Sequence, residues 1–226
     1  MEKIVLFGTS PGAKVAHFTL SHDPSYEVVA FTVDRAYIEE EKFCGLPVVP
    51  FEEVTTLYPP GEYKMLVAIA ASGMNKMRAR KYAEAKEKGY TLITYIHPTA
   101  IVASDLVIGD NCMISEGVIC RPFLTIGNDV FIMPGATLGH DTLIKDHCFI
   151  GNRAVVMGAV IMEPFCFIGP NTTIMEDLTL GRECLIGGGV VIQESTQEKE
   201  VYKANPPIKL PLPSDKLAKI IFRKRV

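Results

Sequence analysis

The stretch Ile126-Gly127-Asn128-Asp129-Val130-Phe131-Ile132-Met133-Pro134-Gly135-Ala136-Thr137-Leu138-Gly139-His140-Asp141-Thr142-Leu143-Ile144 carries an aliphatic residue at every sixth position. Outward from it the phase holds unbroken from Ile96 to Ile192, through Val102, Ile108, Ile114, Cys120, Ile150, Val156, Met162, Ile168, Ile174, Leu180 and Ile186. Fifteen of the seventeen frame positions are Ile, Leu or Val, where random placement would fill roughly four. A second column, four residues on, is small or apolar nearly throughout, from Ala100 and Leu106 through Cys148, Ala154 and Cys166 to Val190.

A period of six fits neither the 3.6 of a helix nor the alternation of an isolated strand. It fits a parallel β-helix in which each hexad is one short strand plus a turn, and stacking buries the frame residue. Three hexads make one triangular coil, so residues eighteen apart become neighbours about 4.8 Å away. Gly directly follows the frame residue at Gly109, Gly127, Gly139, Gly151, Gly169, Gly181 and Gly187. These are expected at corners that need unusual backbone angles.

With 226 residues, 48% of them hydrophobic, the chain can bury a real core in one or two domains. A formal charge of −3 gives no electrostatic case for nucleic acid or an anionic membrane. The apolar run Ile4 to Phe7 is too short for a signal peptide and no later stretch approaches a membrane span, so a cytoplasmic protein is expected. None of the six cysteines forms a Cys-x-x-Cys pair. Cys112, Cys148, Cys166 and Cys184 fall in the inward column and read as core filling rather than as a metal ladder; no metal is expected.

Ahead of the repeat, Lys3 to Phe7, Val28 to Val33 and Lys64 to Ala70 are apolar runs, and Thr91 to Ile96 is a fourth. Helices are expected from about Ala13 to Leu20 and from Asn75 to Lys88, the second stopped by Gly89. Strands alternating with helices indicate a Rossmann-like α/β domain over residues 1 to about 95. Ligands of such sheets bind at the carboxyl ends of the strands, here around Ser10, Asp34 and Ser72 to Asn75. Gly8-x-x-x-x-Ala13-Lys14-Val15 misses the second Gly and the hydroxyl of a phosphate loop, and Gly-x-Gly-x-x-Gly is absent. Asp34 reads equally as a ligand for a sugar hydroxyl and as a turn residue. After the β-helix of residues 96–192, a segment over 193–226 reads as irregular chain through Lys203 and Ala204-Asn205-Pro206-Pro207. Ser214-Asp215 then caps a short helix with Leu217, Ile220 and Ile221 on one face, before a basic end, Arg223-Lys224-Arg225.

His140 is the third residue of its hexad, so it faces solvent or another subunit. Its column holds Pro122 eighteen residues back and Gly158 eighteen on, which leaves room beside the ring for a substrate group. Histidine suits proton transfer near neutral pH, and Asp141 could raise its basicity. On spacing alone, a general base and a surface histidine are both open. His147, at a turn in the next hexad, reads as solvated.

Six features together resemble the hexapeptide-repeat sugar acyltransferases, a family including UDP-4-amino-sugar N-acetyltransferases and sialic acid O-acetyltransferase-like proteins. They are the amino-terminal α/β domain, Ile96-His97-Pro98-Thr99-Ala100, the repeat, Gly139-His140-Asp141, Ile186-Gly187-Gly188-Gly189-Val190-Val191 and Tyr202-Lys203-Ala204-Asn205-Pro206-Pro207. The resemblance implies a left-handed β-helix, against the usual crossover hand. It also implies a homotrimer with acetyl-CoA as co-substrate lying between neighbouring β-helices. His140 would be the base toward a sugar amine or hydroxyl, with Asp141 enhancing it and a backbone N–H steadying the oxyanion. Coenzyme contacts would fall on Phe149, Gly158, Pro170 and Gly188. Where amino-sugar members carry a His and an Asn that hold the sugar, this chain has Gly12 and Met133, and a further family His is replaced by Phe149. The expectation is acetyl transfer to an amino or hydroxyl group of a nucleotide-linked sugar. The alternatives are another acyl donor or a non-nucleotide acceptor, and a non-catalytic trimeric scaffold.

Overall fold

The computed structural model describes residues 1–69, 71–206, 209, 211 and 214. The expected helix carrying Leu217, Ile220 and Ile221, and the basic end, lie outside the described residues. The chain begins with strand β1 (Glu2–Phe7), helix α1 (Pro11–Ser21) and strand β2 (Tyr26–Val33). Next come a hairpin of β3 (Lys42–Phe43) and β4 (Leu46–Pro50), a turn of helix α2 (Val54–Leu57), β5 (Lys64–Val67) and α3 (Lys76–Glu87). The sheet runs in the order β3-β4-β2-β1-β5, parallel except for the short edge strand β3. Strands β1 and β5 are wholly apolar where they cross the centre, because α1 covers one face and α2 and α3, with Phe51 and Tyr90, cover the other. The hairpin was not expected. Thr91 to Ile96 does not become a full sheet strand: Leu92 makes one bridge to Met65, and Tyr95–Ile96 pairs inside the β-helix.

From Tyr95 onward the chain winds as a left-handed β-helix, each hexad contributing a two-residue strand. Its three parallel sheets hold six, five and seven strands. The first face starts at Ile101–Val102, the second at Val107–Ile108 and the third at Tyr95–Ile96. Registers such as Ile119 to Thr137 and Cys120 to Leu138 shift by one coil of eighteen residues. Both inward columns are buried from Cys112 to Ile192 apart from the half-buried Leu178, whereas Ile96 stays 38% exposed because no coil stacks below it. The buried thiols donate to carbonyls of the next coil: Cys148 to Glu163, Cys166 to Gly181 and Cys184 to Gln197. Burial pushes the Cys112 thiol up to about 12 and that of Cys120 to about 11. Residues 193–203 are not wholly irregular, since Val201–Tyr202 adds a strand beside Leu185–Ile186.

The glycines after the frame residues serve a different purpose from the one expected. None has a positive φ. They are required because the next coil passes too close for a side chain. A Cβ on Gly139 would lie 2.4 Å from the Gly158 nitrogen, and one on Gly151 would lie 2.7 Å from the Pro170 nitrogen. Left-handed backbone falls two residues later, mostly on side-chain-bearing residues, among them Asn111 (φ 52°), Asp129 (56°), Asp141 (56°) and His147 (63°). Asn and Asp tolerate that region better than most, through local hydrogen bonds.

The sheet and the β-helix share one core, in which Tyr95, Met113 and Phe131 of the third face pack with Leu6, Ala16 and Phe31. A polar bolt crosses this junction. Arg78 of α3, fully buried, gives Nε to Asp129 Oδ1 at 2.8 Å and NH2 to the Asp129 and Cys148 carbonyls. Asn111 Nδ2 donates to the same Asp129 oxygen at 2.7 Å, and its Oδ1 accepts from the Val67 N–H of β5 at 2.8 Å. His147 completes the set: its Nδ1 lies 2.9 Å from Asp129 Oδ2 and its ring packs on Phe165. It is mostly covered rather than solvated.

Removing one partner strands a charge in the dark, so Arg78→Leu and Asp129→Ala should each cost about 3–5 kcal/mol in urea unfolding. In the folded protein a thiol reagent should label one of the six cysteines quickly, the exposed Cys44.

Candidate active site

His140 projects from the corner between the first and second faces, and its side chain is 62% exposed. The left-handed turn at Asp141 swings that carboxylate back, so Asp141 Oδ2 lies 2.8 Å from His140 Nδ1. A carboxylate only accepts, so Nδ1 carries the hydrogen and, in the neutral ring, Nε2 keeps its lone pair. The space over Gly158 is taken by the ring itself, not left for a substrate. A Cβ at 158 would sit 2.7 Å from His140 Cε1 and 2.8 Å from Nε2. Gly158 is buried beneath the imidazole, and its neighbour Ala159 donates a backbone hydrogen bond to the His140 carbonyl.

The other expected residues lie elsewhere on the same chain. Pro170 and Gly188 stack on the corner between the third and first faces, where a Cβ on Gly188 would meet the Pro170 carbonyl at 3.1 Å. Gly12, Met133 and Phe149 converge in an apolar cavity of about 210 Å³ between α1 and the third face, together with Val15, Met113, Phe131 and Glu116. Sequence reasoning missed these last four. Met113, Phe131 and Phe149 could have been found as the outward residues of one face, eighteen apart.

A second cavity, of about 510 Å³, opens at the carboxyl ends of β1, β2 and β5 and is lined by Gly8, Ser10, Asp34, Tyr37, Ser72 and Lys81 among others. Ser10 caps α1, its Oγ accepting from Ala13 N at 3.4 Å, with Pro11 at the first helical position. Gly8 has φ 121° and a Cβ there would press on the Ala68 carbonyl at 3.3 Å. Asp34 ends β2 ahead of a turn of 3-10 helix, and its carboxylate, in the lining of the cavity, accepts from Lys81 Nζ at 2.6 Å. Burial works against the Lys81 charge, but Asp34 and Glu84 outweigh it and hold its pKa above the ordinary lysine value. Asn75 does not join this cavity. It is fully buried, its Oδ1 bonded by Arg78 and its Nδ2 directed at the Cys166 carbonyl, so its amide is committed to the junction.

A His–Asp pair thus stands on a β-helix corner behind an amino-terminal sheet. Residues 124–158 and 159–194 match the family model described as bacterial transferase hexapeptide (six repeats). The chain is 25% identical to PerB from Caulobacter crescentus, solved in complex with CoA and GDP-perosamine, covering 89% of this chain and 93% of that one with a TM-score of 0.80. It shares the fold of the acetyltransferase domain of PglB from Neisseria gonorrhoeae, solved with acetyl coenzyme A (22% identity, 88% and 95% covered, TM-score 0.81). WeeI from Acinetobacter baumannii has it too (17% identity, 89% and 96% covered, TM-score 0.75).

Gly158→Ala should expel the imidazole from its seat and leave the melting transition within about 1 kcal/mol, because the ring sits at the surface. NMR should then show changed ring shifts for His140 and unchanged ones for His147.

Proposed function

We propose that this chain is an acetyl-CoA-dependent N-acetyltransferase that acylates an amino group of a nucleotide-linked sugar, working as a cytoplasmic homotrimer. The observation that carries the reading is the His140–Asp141 pair seated over Gly158, with one ring nitrogen held and the other free. Asp141 fixes the tautomer and orients the ring as His140 Nε2 takes the acceptor's proton. Acetyl-CoA supplies the activated acyl group, as a thioester. The Gly158 N–H makes no hydrogen bond with a described residue, and a shift of the ring off Gly158 would open it to a developing oxyanion.

Within one chain His140 stands on a different corner from Pro170, Gly188 and the apolar cavity, so a complete site needs a second copy. Both faces flanking His140 are apolar outside: Ile101 is 66% exposed and Val107 60%, and Phe123 at the same corner is 67% exposed. A heterologous contact closed by threefold symmetry covers such faces and sets one copy's corner against the next copy's cavity. Pro170 and the exposed, side-chain-free Gly188 then suit close approach by coenzyme A, with Phe149 near the acceptor. The amino-terminal cavity, with Ser10 and the Asp34 carboxylate, suits the nucleotide moiety.

His140→Ala should lower thiol release from acetyl-CoA by about 10²–10⁴-fold at unchanged trimer mass; an unchanged rate removes the base role. A thiol-release screen of GDP-perosamine and UDP-amino-sugars against neutral nucleotide sugars and free sugars should select a nucleotide amino-sugar. Reaction of free sugars alone would overturn the role given to the amino-terminal cavity.

A further inference from the structure

We propose that Glu116 is a specificity-determining residue that recognises the acceptor through its ammonium group; this rests on the acetyl-transfer reading and adds to it. The cavity between α1 and the third face is walled by Val15, Ile69, Met113, Phe131, Met133 and Phe149, and among the described residues Glu116 is its one ionisable lining residue. Glu116 follows Ile114 by two positions, the same place in the hexad that His140 holds, so it stands at the outer tip of a corner and is exposed. Its carboxylate accepts no hydrogen bond and forms no ion pair among the described residues; only its backbone carbonyl is used, by Gly135 N–H.

A carboxylate at the rim of apolar walls is costly to cover with a neutral ligand and attractive to a cation, since the walls weaken solvent screening. An amino-sugar carries an ammonium near neutral pH, whereas its hydroxyl counterpart carries no charge. Gly12 and Met133 offer the acceptor no polar side chain, so ionic recognition falls to Glu116. In the trimer this rim faces the neighbouring copy's His140 corner, which places the nitrogen that is held by charge next to the base that deprotonates it.

The test is calorimetric binding to the full-length trimer of GDP-perosamine and of the same nucleotide sugar with a hydroxyl in place of its amine. Glu116→Gln should weaken the amino-sugar by about tenfold to a hundredfold, the range of a hydrogen bond to a charged group. The hydroxyl sugar should bind both proteins alike, KM for acetyl-CoA should hold, and Glu116→Asp should recover part of the loss. Equal amino-sugar affinity in wild type and Glu116→Gln overturns the inference, as does an equal loss for both sugars. Wild type that binds neither this pair nor any UDP-amino-sugar and its hydroxyl counterpart overturns the acetyl-transfer reading itself.

Discussion

One strand spacing between successive coils is the constraint on which the molecule rests. Two-residue strands cannot hold a sheet by their own hydrogen bonds, so the prism survives because each coil lays its frame residue on the one below. That same closeness dictates which residues must lack a side chain. Gly139, Gly151 and Gly169 are where the next coil's backbone arrives, and Gly158 is where the His140 ring settles. The close stacking of the coils and the seat of the His140 ring therefore come from a single geometric rule, applied at two corners of the prism.

The amino-terminal sheet depends on the prism in turn. Arg78 has no partner for its charge within its own helix apart from the amide of Asn75, and it finds Asp129 only across the junction. With Met113 and Phe131 on the outside of the third face packed into the core of the sheet, the sheet is held against that face. The apolar cavity lies in that seam, so its shape is inherited from the bolt rather than from a loop.

Much of this was legible from residues alone, for physical reasons that can be named. The frame column declares itself because every member faces inward, and His140 was identifiable because its hexad position must face out. The contact with Asp141 was not, since it depends on a left-handed backbone that only the turn geometry creates. The post-frame glycines were found but misread: their spacing shows that size matters, not that φ does not. The β3–β4 hairpin escaped because Pro47 and Pro50 interrupt its apolar run, and Pro commonly marks edge strands. Arg78 and Asn111 gave no local signal, as a cation on a charged helix and an Asn in a turn look solvated until a second element covers them. His147 was misjudged for the same reason.

The amide of Asn111 has a consequence for self-association. By meeting the Val67 N–H it stands where a further strand would dock beside β5, and so closes that flank of the sheet. The opposite flank ends in β3, two residues long and running against its neighbour. Neither side presents a ladder long enough to recruit another polypeptide, which guards a strongly apolar sheet against fibrous aggregation.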